Sequence, residues 1–80
     1  MSAEDFPYEF SLIEMQRILK RAGAERISED AKNQMLSTLN RIAKEIAFRA
    51  VKLASDSGKN TITEENIRDA TSIVMSMGGI

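Results

Sequence analysis

The sequence contains no cysteine and no histidine. The first absence excludes disulfides and thiolate metal sites. The second removes the usual zinc ligands, the commonest general base and every histidine-dependent triad. No phosphate-cradling glycine loop takes their place, so neither a catalytic residue nor a metal or cofactor site is expected, and the chain reads as a non-enzyme. No apolar run approaches the ~20 residues of a membrane-spanning helix, and no signal peptide is recognisable, so a soluble, intracellular protein is expected. Proline is almost absent: Pro7 is the only one, and it sits among three of the four aromatics, Phe6, Tyr8 and Phe10. Eighty residues make one small domain whose lone core is marginal. With disulfides and thiolate metal sites excluded, oligomerisation is the remaining stabiliser.

What is present is a long helical pattern. Residues 28–57 hold neither Gly nor Pro, and Ala31, Met35, Leu39, Ile42, Ile46, Ala50 and Leu53 recur at spacings of three and four. Ser28 is a good N-cap, Glu29 and Asp30 place negative charge in the first turn, and Gly58 follows as the stop. A helix of roughly 29 residues is about 43 Å long, whereas a compact monomer of this chain length is only ~30 Å across. The mismatch points to a dimer as the folding unit.

Two shorter helices flank it. Ser11-Leu12-Ile13-Glu14 is a capping box, with Leu12, Met15, Leu19 and Ala22 as the stripe and Gly23 as the stop. Thr63 caps the last helix, whose stripe is Ile67, Ala70, Val74 and Met77, ended by Gly78 and Gly79. The loops between them each carry a base and a β-branched residue: Arg26 and Ile27 in the first, Lys59, Thr61 and Ile62 in the second. The expected organisation is therefore an N-terminal aromatic and acidic arm (1–10), an all-α domain (11–77) and a short tail (78–80). Lys32, Arg41, Lys44, Glu45 and Lys52 read as a solvated face of the long helix. Phe48 and Arg49 break its pattern, Arg49 lying at the edge of the apolar arc, where it can snorkel or pair with an acid.

The net charge of −1 argues at first against nucleic acid, but its distribution does not. Residues 1–14 hold four acids and no base, and residues 15–80 hold all eleven bases and eight acids. An acidic leader masks a mildly basic body.

Residues 17–31, RILKRAGAERISEDA, closely resemble the archaeal histone signature, as do AVKLA at 50–54 and GKNTI at 58–62 followed by Glu65-Asn66-Ile67. The resemblance runs without gaps over residues 14–74. It implies the histone fold: a short helix, a loop, a long helix, a loop and a short helix, with two chains paired head to tail in a handshake dimer. Met35, Leu39, Ile42, Ile46, Ala50 and Leu53 would then form the dimer core. The implied function is a chromatin or nucleoid protein that binds double-stranded DNA without sequence specificity and bends, wraps or compacts it, located in the cytoplasm on the chromosome. Arg17 matches an arginine directed into a minor groove, and Lys20 and Arg26 match phosphate-contacting bases, with Arg21 beside them. In the second loop Lys59, Asn60 and Thr61 fall at DNA-contacting positions, Asn60 in place of a usual lysine. Each base taken singly is a solvated surface charge; it is their clustering that carries the functional reading.

Leu53, Asp56 and Asn66 fall where the resemblance places contact between dimers, with Asp56 and Asn66 replacing a His–Asp pair, so stacking of dimers into long polymers on DNA is expected to be weak or absent, leaving dimers, or tetramers joined through another surface such as the apolar tail. A second reading stays open: a histone-fold subunit that heterodimerises within a larger complex, with DNA secondary. Net acidity, Asn60 and the arm favour it; Arg17, Lys20, Arg26 and Thr61 favour the first.

Overall fold

A computed structural model describes residues 10–77. Of the expected arm, residues 1–9 lie outside the described residues, as do Gly78, Gly79 and Ile80 of the tail. The described chain is all-α, with α1 at Leu12–Arg21, α2 at Glu29–Asp56 and α3 at Glu64–Ser76. It divides into two compact units, Met1–Arg41 and Ile42–Ile80.

In the first unit, α1 opens on the expected capping box. Glu14 N donates to Ser11 Oγ, and Ser11 N donates to Glu14 Oε1 at 3.0 Å, so two helix-end donors are met by side chains. The helix ends at Gly23, whose φ is +110°. Gly23 N donates to Lys20 O and Ala24 N to Leu19 O, both at 3.0 Å, a Schellman closure. Met15 is fully buried, Leu12 and Leu19 are half-buried and Ala22 is exposed. Ser28 Oγ then accepts from Ala31 N at 3.1 Å and starts α2.

The second unit repeats this solution. Gly58, at φ +70°, closes the end of α2 with Gly58 N donating to Ser55 O and Lys59 N to Ala54 O. Thr63 caps α3 through a second capping box, in which Asn66 N donates to Thr63 Oγ1 and Thr63 N to Asn66 Oδ1. Ala50, Ala54, Ala70 and Val74 are its buried apolar residues. The expected α3 stripe is corrected at both ends: Ile67 is 43% and Met77 62% exposed, while Ile73 is half-buried in their stead. Met77 is the C-cap, beyond the last full turn, so helical spacing no longer places it on the buried face.

Among the described residues, the stripe of α2 is only partly covered. Met35, Leu39, Ile42, Ile46 and Leu53 are each only half-buried, and Ala50 alone is buried. Asn40 is buried at 3% exposure, its Nδ2 donating to Leu36 O one turn back. No helix of the described residues is long and apolar enough to cross a membrane.

Candidate nucleic-acid interface

The candidate bases fall into two sets. Arg17, Lys20, Arg21 and Arg26 belong to the first unit, and Lys59, Asn60 and Thr61 to the second. All seven are exposed.

In the first set, Arg17 projects from the middle of α1, and Lys20 and Arg21 occupy its last turn, where cations complement the helix dipole. The loop that follows is tied back onto the helix. Lys20 Nζ donates to Glu25 O at 2.8 Å, five residues on, a bond that closes the turn around Gly23. An ammonium group has three donors, so this bond leaves two for an anion. Arg26 borders an open groove of about 600 Å³ whose other walls are Leu19, Ala24, Ile27, Ser28 and Ala31. Among the described residues it is the only charged one lining that groove. With little polar wall to oppose it, its field extends outward.

Lys32 departs from its expected place on a solvated face. Its side chain is only 13% exposed, its Nζ donates to Gln16 Oε1 on α1 and pairs with Glu29. The long stem covers apolar surface while the ammonium is neutralised at the edge, so Lys32 fastens α2 to α1 rather than offering a free charge. Nothing in the sequence spacing distinguishes it from Arg41; the Gln16 partner, sixteen residues away, is what does.

The second set is differently placed. Lys59, Asn60 and Thr61 follow Gly58 and lead to the Thr63 cap. Lys59 lines a cleft of about 280 Å³ with Leu53, Ser57, Thr63, Glu65, Asn66 and Asp69, two carboxylates against one ammonium. Asn66 Oδ1 accepts from Thr63 N and from the Thr63 hydroxyl, both at 3.0 Å, so that oxygen is committed to the cap. Asp56 is exposed and pairs with Lys52 at 3.4 Å. Among the described residues, no group of three His, Cys, Asp or Glu gathers as a metal site would require.

Helices of 10, 28 and 13 residues, joined by two capped loops, are the layout of the histone fold. Residues 9–71 match the family described as histone-like transcription factor (CBF/NF-Y) and archaeal histone. The chain is 33% identical over 60 residues to a subunit of the archaeal histone HAN1 from Thermococcus zilligii, an alignment covering 75% of this chain and 90% of that one. It is 43% identical over 54 residues to probable archaeal histone 3 of Methanocaldococcus jannaschii, covering 68% and 81%. The chain belongs to this histone-fold family.

Proposed function

We propose that the protein is a DNA-packaging histone that acts as a handshake dimer and binds duplex DNA with little sequence preference. The observation that carries the reading is a set of exposed bases on α1 and the loop that follows: Arg17 and Lys20 on the helix, and Arg26 in a loop that Lys20 itself holds in shape. Arginine and lysine on a braced loop bind phosphates without reading base edges, and an arginine gains further from the negative potential of a narrow minor groove. The open stripe of α2 supports the dimer. Five apolar side chains left half-exposed along one helix lose little by meeting a second copy and gain roughly 25 cal/mol for each Å² they then bury. In the dimer the first loop of one chain meets the second loop of the other, so Thr61 and Lys59 add to the phosphate contacts of Arg26.

A second reading is favoured by a specific feature: the acid-rich second cleft, with Asn60 beside it, weakens half of that surface. In this reading the chain is one member of a heterodimer and DNA binding is secondary; the Thermococcus relative is itself described as a subunit.

Duplex binding across a salt series, with sedimentation of the free protein, tests both. The first reading expects a folded homodimer whose binding falls with salt, and loses affinity in an Arg17→Ala, Arg26→Ala double variant. A stably folded monomer, or a double variant that binds as tightly as the parent, would overturn it.

A further inference from the structure

We propose that Ile13 is a DNA-contacting residue: its side chain packs on the deoxyribose rings at the rim of the minor groove that Arg17 enters, and so adds an apolar, salt-independent part to binding. The starting observation is its exposure. At 65%, Ile13 is the most exposed large apolar side chain among the described residues. A single exposed isoleucine is ordinary on a protein surface. What sets this one apart is the face of α1 on which it stands.

The helix is sharply divided. Met15 is fully buried and Leu12 and Leu19 are half-buried, and together they mark its inner side. At about 100° per residue, Ile13 lies about 160° from Met15 around the axis. It therefore belongs to the outer side, with Arg17 one turn on and Lys20 two turns on, all of them exposed. Around the axis Ile13 falls between these two bases, within about 40° of each, and Arg17 stands about 6 Å further along. The polar neighbours of Ile13 are engaged within the chain. Glu14 Oε1 accepts from Ser11 N and from the Ser11 hydroxyl in the capping box, and Gln16 Oε1 accepts from Lys32 Nζ. A large apolar side chain is thus held out on a basic face.

The chemistry of its partner follows from that position. Isoleucine has no donor to offer a phosphate, so it adds to binding only where the duplex presents C–H surface. A helix is about 10–12 Å across with its side chains and the minor groove only about 6 Å wide, so α1 stays above the groove. The long Arg17 side chain reaches in, and the short Ile13 side chain, one turn away, meets the sugars at the rim. Packing there removes apolar surface from water on both partners. Like other sugar contacts it reads no sequence, and it releases no counterion. The inference rests on the DNA-binding reading of the proposed function and deepens it, adding an uncharged residue to a site otherwise made of bases.

The test measures binding of the full chain to a mixed-sequence DNA duplex by fluorescence anisotropy across a salt series, for the parent, Ile13→Ala, Ile13→Val and Arg17→Ala. Ile13→Ala should weaken binding roughly five- to tenfold at every salt concentration and leave the salt slope unchanged, because what it removes is apolar area. Ile13→Val keeps most of the side chain and should recover most of the affinity. Arg17→Ala should instead flatten the slope. Ile13 is exposed in the free chain, so Ile13→Ala should leave the thermal midpoint and the sedimentation of the free protein as they are. An Ile13→Ala variant that binds as tightly as the parent, while Arg17→Ala binds less tightly, overturns the inference and leaves the DNA reading standing. A loss accompanied by a lower thermal midpoint or a dissociated dimer also overturns it, since Ile13 would then be a packing residue. So does a loss that comes with a flattened slope, which would mean that the substitution had displaced the neighbouring bases. A parent that binds no duplex would instead sink the proposed function itself.

Discussion

The two halves of the chain share a backbone solution and differ in charge. Each runs from a helix through a positive-φ glycine and a short loop to a capped helix: Gly23 to Ser28 in the first, Gly58 to Thr63 in the second. Residues 10–41 carry six bases and four acids, whereas residues 42–77 carry five of each. In the first half Lys20 and Lys32 act as braces, and Arg26 is the one charge among the described residues beside an apolar groove. In the second, Lys59 shares its cleft with Glu65 and Asp69, and Arg68 is held by Glu64. Glycine and cap residues determine the loop path, which leaves the exposed side chains open to different chemistry. The proposed DNA edge is thus expected to be uneven, strong at the first loop and weak at the second.

The largest expected effect tests what the halves have in common. Leu39→Asp and Ile46→Asp each place a carboxylate in the open stripe of α2, one on either side of the boundary at residue 41. If a second copy covers the stripe along its length, both should lose roughly 3–5 kcal/mol and the folded dimer with it, the cost of a buried unpaired charge. Thermal unfolding followed by circular dichroism, with sedimentation, reads this. Tolerance of one but not the other would show that only one half is covered.

Next comes the asymmetry in DNA binding. Arg17→Ala with Arg26→Ala should weaken binding far more than Lys59→Ala, and each phosphate left without its cation should flatten the salt slope by about 0.9. Asn60→Lys should do the reverse, steepening the slope by a similar amount per copy. Fluorescence anisotropy on a mixed-sequence duplex across a salt series distinguishes these. Equal losses from both loops would mean that the two halves serve DNA alike.

A smaller effect separates the glycines. A Cβ at either position meets nothing within 4 Å, so only backbone strain counts. At φ +70° Gly58 lies in the left-handed region that other residues visit at a cost, whereas Gly23 at +110° lies outside it. Gly58→Ala should cost ~1 kcal/mol and Gly23→Ala more, ~2 kcal/mol, in denaturant midpoints.

Much of this architecture is legible in the sequence, because helical spacing, caps and stop glycines are local signals. Ser11, Ser28 and Thr63 cap the helices as their positions suggest, and Gly23 and Gly58 end them. Sequence reasoning fails where the answer lies at long sequence separation or past a helix end. Lys32 has the spacing of a solvated base, and only the folded chain sets Gln16 beside it; Met77 has the spacing of the stripe, but α3 ends one residue earlier. The candidate site is legible as a set of bases, through the resemblance. Its bracing is not, since the Lys20 to Glu25 O bond depends on the path of the backbone around Gly23. Arg49 is visible as an irregularity of pattern; that its Nε is buried without a partner is a property of packing.

The smallest effect compares one ion pair from each half. Arg68 Nη2 donates to Glu64 Oε1 at 2.8 Å, a short bond between partners four residues apart, yet both side chains are largely exposed. Water and salt screen such a pair, and holding two long side chains in place costs entropy, so Arg68→Ala should cost under ~0.5 kcal/mol. Lys32 pairs with a Glu29 that is as exposed as those partners, but its own stem is covered and it also reaches Gln16 on another helix. Removing it uncovers apolar surface and unfastens α1 from α2, so Lys32→Ala should cost more, ~1 kcal/mol. Lys32→Met keeps the stem and drops the charge, and should recover most of that loss if packing rather than charge is the larger part. High salt should erase the Arg68 effect and leave most of the Lys32 effect standing. Equal sensitivity to salt would mean that Lys32, too, acts as a surface charge, and that the first half owes its bracing to Lys20 alone.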